Sequence, residues 1–271
     1  MNRIKIAIIF GTEPNFEVYA FKYFILALNK NQKTYEFFFP DVEDYPIKVK
    51  EKRLDSDEWQ NDAKAFINEK DIIAECFIFI VSKGFKNNYF FRRNGNYFAI
   101  TTDTWDKYFS PPSLFEYLFH SIYTCLLYSK AIPEGIILTD EQKNIVFESH
   151  IETKGCIADF TRDKFDDKID IALGYICEED TKKIMKCYGS EYFKEFERII
   201  DRKWIGDKEQ VGSIAYNLKH IFKFDIDRDS GFNKSFWDKI KGKFHEIPAN
   251  IILVILTAIT MFFLMKLGIV V

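Results

Sequence analysis

Apolar positions open the chain as a β-branched run, Arg3 to Phe10, which stops at Gly11-Thr12-Glu13-Pro14-Asn15. From Phe16 to Asn29 the apolar residues Val18, Phe21, Tyr23, Ile25 and Leu26 recur at helical spacing. Tyr35 to Phe39 reads as a second strand closed by Pro40, and Asp57 to Asn68 as a helix with Asp57 at its N-cap. Cys76 to Val81 is apolar at every position, as in a strand covered on both faces of a parallel sheet. This β-α-β-α-β order predicts a doubly wound, mostly parallel α/β sheet. Tyr89–Arg92 and Tyr97–Thr101 flank Asn94-Gly95, a hairpin signal. Ser113 to Ser129 follows as a long apolar helix, and Ile136–Leu138 and Ile145–Phe147 suggest another hairpin. Glu178–Lys186, Glu191–Ile200 and Val211–Phe222 complete a helical C-terminal part.

The expected organisation is an α/β core over 1–130, an α+β extension over 131–230, a juxtamembrane helix over 231–247 and a transmembrane helix over 248–271. The last of these rests on Ala249 to Val271, a nearly uncharged stretch behind Pro248. A membrane core of about 30 Å asks for roughly 20 such residues. Thr257 and Thr260 are its polar groups besides Asn250, and Lys266 sits where its ammonium reaches the far interface or lines a pore. Phe236, Trp237, Ile240 and Phe244 lie on one helical face, with Lys239, Lys241 and Lys243 opposite; this suits a headgroup surface or a helix packed on the soluble part. The basic flank places the N-terminal mass in the cytoplasm of a single-pass, tail-anchored protein of the cell (inner or plasma) membrane, its partner the lipid bilayer.

A net charge of -3 argues against a nucleic-acid partner. The 29 Phe supply a large core, and 29% charged residues exclude general disorder. Five scattered Cys read as free thiols in a reducing compartment.

The chemistry-bearing candidates fall into four groups. The turn Gly11, Thr12 and Asn15 lies where α/β sheets bind ligands, so it either holds an anion or is a plain turn with Asn15 as N-cap. His150, Cys156 and Cys177 are zinc-type donors without a short paired spacing; Asp180 stands where a Cys-x-x-Cys would need its second Cys. Buried free cysteines are the leading alternative there. A nucleophile can be drawn from Cys156 and His150, while His120 lies four residues after Glu116 without completing His-Glu-x-x-His. Finally, Asp159, Asp163, Asp166, Asp167 and Asp170 alternate with cations, which suggests either a hard-cation site or a solvated face.

The layout as a whole resembles bacterial conflict-system effectors of antiviral defence, in which a cytoplasmic α/β sensing domain is joined to membrane helices. That resemblance implies that a nucleotide-like ligand binds, the chain forms a homo-oligomer and the clustered helices perturb the membrane. The stretch from His150 through Gly155-Cys156-Ile157-Ala158-Asp159 to Ile176-Cys177 also resembles a cysteine-containing module of uncharacterised bacterial proteins, where a Cys replaces Asp180. A tethered Cys/His- or zinc-dependent hydrolase and a tethered protein-recruiting scaffold are the alternatives.

Overall fold

The computed structural model describes residues 3–46, 53–86, 91–105, 111–129, 149–160 and 164–232. In chain order these form β1 (Ile4–Phe10), α1 (Val18–Asn31), β2 (Tyr35–Phe38), α2 (Ser56–Glu69), β3 (Cys76–Val81), β4 (Phe91–Asn94), β5 (Tyr97–Thr101), α3 (Leu114–Tyr128), α4 (Lys164–Leu173), α5 (Glu178–Tyr188), α6 (Ser190–Ile200), a 3-10 turn (Lys203–Ile205) and α7 (Ile214–Ile221). The sheet order is β2-β1-β3-β5-β4. Its first four strands run parallel and β4 is antiparallel at the edge, so the expected mixed α/β class holds.

Alternation along β1 divides the core. Ile4, Ile6, Ile8 and Phe10 face α1 and α3, whereas Ala7 and Ile9 face α2. The β3 run is buried at all six positions because helices cover both sides. The larger cluster continues from α3 into Cys156, Ile171, Ile184 and Phe196, so the C-terminal helices extend the same core.

α3 has the clearest local cause. Ser113 accepts the Glu116 amide, and Glu116 returns a carboxylate oxygen to the Ser113 amide at 2.7 Å, a reciprocal N-terminal cap. Helix α2 starts one residue before its expected N-cap. Asp55, not Asp57, accepts an early amide there, from Glu58 at 3.3 Å. Helix α7 starts at Ile214, later than its apolar pattern suggested, because Gly212 takes φ +88° and Ser213 caps the Tyr216 amide.

Several expectations lie outside the described residues: the 136–147 hairpin, the basic face with Trp237, Lys241 and Lys243, and the apolar tail with Thr257, Thr260 and Lys266. Among the described residues no helix is long and apolar enough to cross a membrane.

Candidate metal centre

The C-terminal half brings His150, Cys156, Cys177 and Asp180 together, all buried, with one ligand atom of each within 4.8 Å of the others. Two short segments deliver them. In the first, the chain runs out from His150 and doubles back. His150 bridges Asp159 in parallel, its amide donating to the Ala158 carbonyl at 3.0 Å, and the Phe160 amide donates to the His150 carbonyl at 2.8 Å. Gly155 makes that return with φ +75°, a conformation that disfavours side chains. Asp159 fixes the tip, since its Oδ2 accepts the amides of Lys154 and of Cys156, the latter at 3.0 Å.

The second segment is the start of α5. Cys156 bridges Tyr175, and Cys177 is the α5 N-cap, its sulfur accepting the Asp180 amide at 3.5 Å. Position three of the helix therefore carries Asp180 back towards its own cap. The Cys177 amide in turn donates to Cys156 Sγ at 3.3 Å. Both sulfurs thus receive backbone N–H groups. For Cys156 burial outweighs those donors and pushes the thiol up, while the Ala158 and Cys177 amides pull it back.

The donor spacing suits a tetrahedral cation. Cys156 Sγ and Cys177 Sγ lie 3.5 and 3.6 Å from Asp180 Oδ2. His150 Nε2 lies 2.9 Å from that oxygen and 3.1 Å from Cys177 Sγ. Zinc bonds of about 2.3 Å to sulfur and about 2.0–2.1 Å to nitrogen or oxygen would set such atoms roughly 3.3–3.8 Å apart. A shift of a few tenths of an ångström by His150 completes the fit. The chemistry agrees. Two sulfurs, an imidazole nitrogen and a carboxylate oxygen are donors of the zinc type. Asp180 is fully buried, and its Oδ1 has no hydrogen-bond partner, though it forms an ion pair with Lys183 Nζ at 3.7 Å. The group could therefore hold a metal ion.

The other candidates are placed differently. His150 reaches Cys177, not Cys156, at hydrogen-bond distance, so the Cys156/His150 nucleophile pair is not the contact formed. His120 is on α3, apart from the four donors, and burial followed by the Arg202 charge pushes it down to about 3, which keeps it neutral. Glu116 is taken up by its cap and by Arg202, whose Nη1 donates to it at 2.6 Å. In the turn after β1, the Gly11 amide donates to the Ile80 carbonyl and the Thr12 amide to the Tyr45 carbonyl, at 2.8 and 2.9 Å. Asn15 accepts a 2.7 Å bond from Thr102 and does not cap α1, which begins after Glu17. Those two amides are therefore not available to an anion.

The expectation of a membrane-anchored, nucleotide-sensing defence effector is corrected by these findings. The residues of the expected span lie outside the described ones, so the correction rests on the donors that the fold brings together. The chemistry that the fold concentrates is a soft-donor metal set, closer to the zinc-dependent alternative. Zinc stood behind buried free thiols in the sequence because Asp180 broke the Cys-x-x-Cys spacing. The helical cap geometry explains why Asp can serve there, and Asp180 is the donor that spacing alone did not count.

No family model matches the chain, and no curated protein is similar to it in sequence. A solved structure of archaemetzincin (AmzA) from Archaeoglobus fulgidus, complexed with malonate, superposes with a TM-score of 0.38 at 10% identity, over 67% of this chain and 100% of that one. So slight a likeness decides neither fold nor chemistry.

Proposed function

We propose that this chain is a zinc protein in which His150, Cys156, Cys177 and Asp180 together hold one Zn²⁺. The observation that carries the reading is the burial of four convergent donors of zinc type, two of them sulfurs held by backbone amides. A site with four protein ligands is closed, which is the pattern of structural zinc; hydrolytic centres keep one position for water. The ion's role is then to pin the 149–160 loop to Tyr175 and the start of α5, and so to shape the surface those segments present.

A second reading is a hydrolytic centre in which Asp180 leaves the metal and water takes its place. Its support is Asp180 Oδ1, which accepts no hydrogen bond and meets only the Lys183 ammonium at 3.7 Å, so that a metal-bound water would complete it.

Metal analysis of the purified full chain tests the proposal, together with Co²⁺ substitution. One zinc per chain is expected, and the Co²⁺ form should show the intense visible bands of a four-coordinate, dithiolate site. Cys177→Ser should lose both. A chain that takes up no zinc after metal-free refolding with added Zn²⁺ would refute it. Weak, five-coordinate Co²⁺ bands that respond to added anions would favour the hydrolytic reading.

A further inference from the structure

Helix α5 carries two consecutive lysines whose surroundings differ. Lys182 pairs with Glu178, four residues before it, at 2.6 Å, and both side chains are more than two-thirds exposed. Lys183 pairs in the same way with Glu179 at 2.7 Å, yet its own side chain is only 25% exposed. The difference is a second carboxylate. Lys183 Nζ also stands 3.7 Å from Oδ1 of the fully buried Asp180. Cys177, Asp180 and Lys183 recur every three residues, so cap, ligand and ammonium lie on one face of the helix. The two oxygens of Asp180 therefore have different neighbours. Oδ2 lies 2.9 Å from His150 Nε2 and 3.5 and 3.6 Å from the two sulfurs. Oδ1 accepts no hydrogen bond and has the Lys183 ammonium as its ion-pair partner.

We propose that Lys183 is a positioning residue of the metal centre: its ammonium engages Asp180 Oδ1, leaves Oδ2 alone to the ion and so keeps the coordination at four. The proposal rests on the reading of the four donors as a zinc site. A carboxylate binds a metal through one oxygen or through both. With both oxygens bound, the ion would have five ligands, a number that structural zinc sites rarely take. A cation in the second turn of a helix draws no support from the helix dipole, so Lys183 is held there by Glu179 and Asp180. Its charge by itself acts in the other direction, because an ammonium this near repels the ion. A change of metal affinity therefore does not separate the two effects, whereas the coordination number does.

The test uses the full chain loaded with Co²⁺, as wild type, Lys183→Met and Lys183→Arg. Methionine keeps an unbranched, helix-compatible stem without the charge. The wild-type chain should show the visible bands of a four-coordinate ion, and Lys183→Met should lose at least about half of their intensity as Asp180 turns bidentate and a fifth ligand is added. Lys183→Arg keeps a cationic donor for Oδ1 and should retain the wild-type spectrum. The sulfur-to-cobalt bands in the near ultraviolet should be equal in all three, since both cysteines stay bound. Should Lys183→Met not fold, Lys183→Ala takes its place. A Lys183→Met spectrum identical to the wild type overturns the proposal and leaves the zinc reading standing. Loss of the sulfur bands in the variant also overturns it, because Lys183 would then be holding the whole centre and not one oxygen. A wild-type chain that binds no Co²⁺ overturns both readings.

Discussion

Removal of the metal should loosen the C-terminal half by an amount that the connectivity sets. A zinc ion bound by His150 and Asp180 closes a loop of 30 residues. By the chain-entropy relation for cross-links, such a closure contributes roughly 3–4 kcal/mol through the unfolded state. The apolar packing of Cys156, Ile157 and Ile184 is left in place, so this is a loss of constraint without loss of core. For a domain of this size class each kcal/mol moves Tm by about 2–4 °C, which gives a fall of roughly 6–16 °C on chelation. The assay is thermal unfolding by circular dichroism of the full chain in buffered free zinc and in excess chelator, with His150→Ala in parallel. The wild-type protein should show the shift and recover it on return of zinc, and the variant should melt at one temperature in both buffers. Equal Tm values for the wild-type protein in zinc and chelator would refute the reasoning, because the four donors would then be closing no loop.

Other perturbations test the frame around that centre. Gly174→Ala should destabilise by more than about 2 kcal/mol, since φ is +55° and the new Cβ would sit 2.8 Å from the Ile200 carbonyl oxygen, while Gly155→Ala should cost about 1–2 kcal/mol because the atom it meets is the end of the Leu173 side chain; urea titration checks the order. Glu116→Gln keeps a cap for α3 but loses the ion pair with Arg202, both partners being under a fifth exposed, and should cost on the order of 1 kcal/mol in the same assay. Asp170 holds its proton more tightly folded than unfolded, so the stability it supports is complete below about pH 4, declines as pH rises towards about 8 and is gone above it. Asp170→Asn should flatten that slope. For His120 the sign is reversed: its folded value of about 3 lies below the free imidazole, so stability is present above about pH 6.5 and declines as pH falls towards 3, a limb that His120→Gln should remove.

The sheet could be read from the chain because its signals are local. The unbroken apolar run of β3 and the alternation in β1 each state their own environment, and Ser113 with Glu116 announces the start of α3. The metal centre is less legible for the opposite reason. His150 and Asp180 are 30 positions apart and meet only because an isolated bridge sets Cys156 beside Tyr175. Three of the four donors could be named from residue type alone. The fourth needed the cap geometry of Cys177, where the residue three places on turns back towards the sulfur. The burial of Asp170 was hidden by the charges around it, since periodicity cannot say which side of a short, highly charged helix faces inward. The Gly11–Asn15 turn misled because its residue types suit an anion, while the amides themselves are engaged by Ile80 and Tyr45.

Tyr45 stands where a sheet of this order would otherwise be open. A parallel sheet ordered β2-β1-β3-β5 changes its direction of growth between β1 and β3, and ligands of such sheets enter beyond the strand ends at that place. Here the chain has filled the entrance itself. Tyr45 bridges Gly11, packs edge-on against Phe66 and Phe79 at 5.4 and 5.1 Å, and is 4% exposed. The plug is one side chain on a connecting segment, so it is removable. Trimmed to glycine or alanine, it would leave a dry, aromatic-walled socket of phenol shape at the mouth of the sheet. Such a socket would admit phenol as a small-molecule prosthesis, and would turn a sealed scaffold into a chemically addressable one.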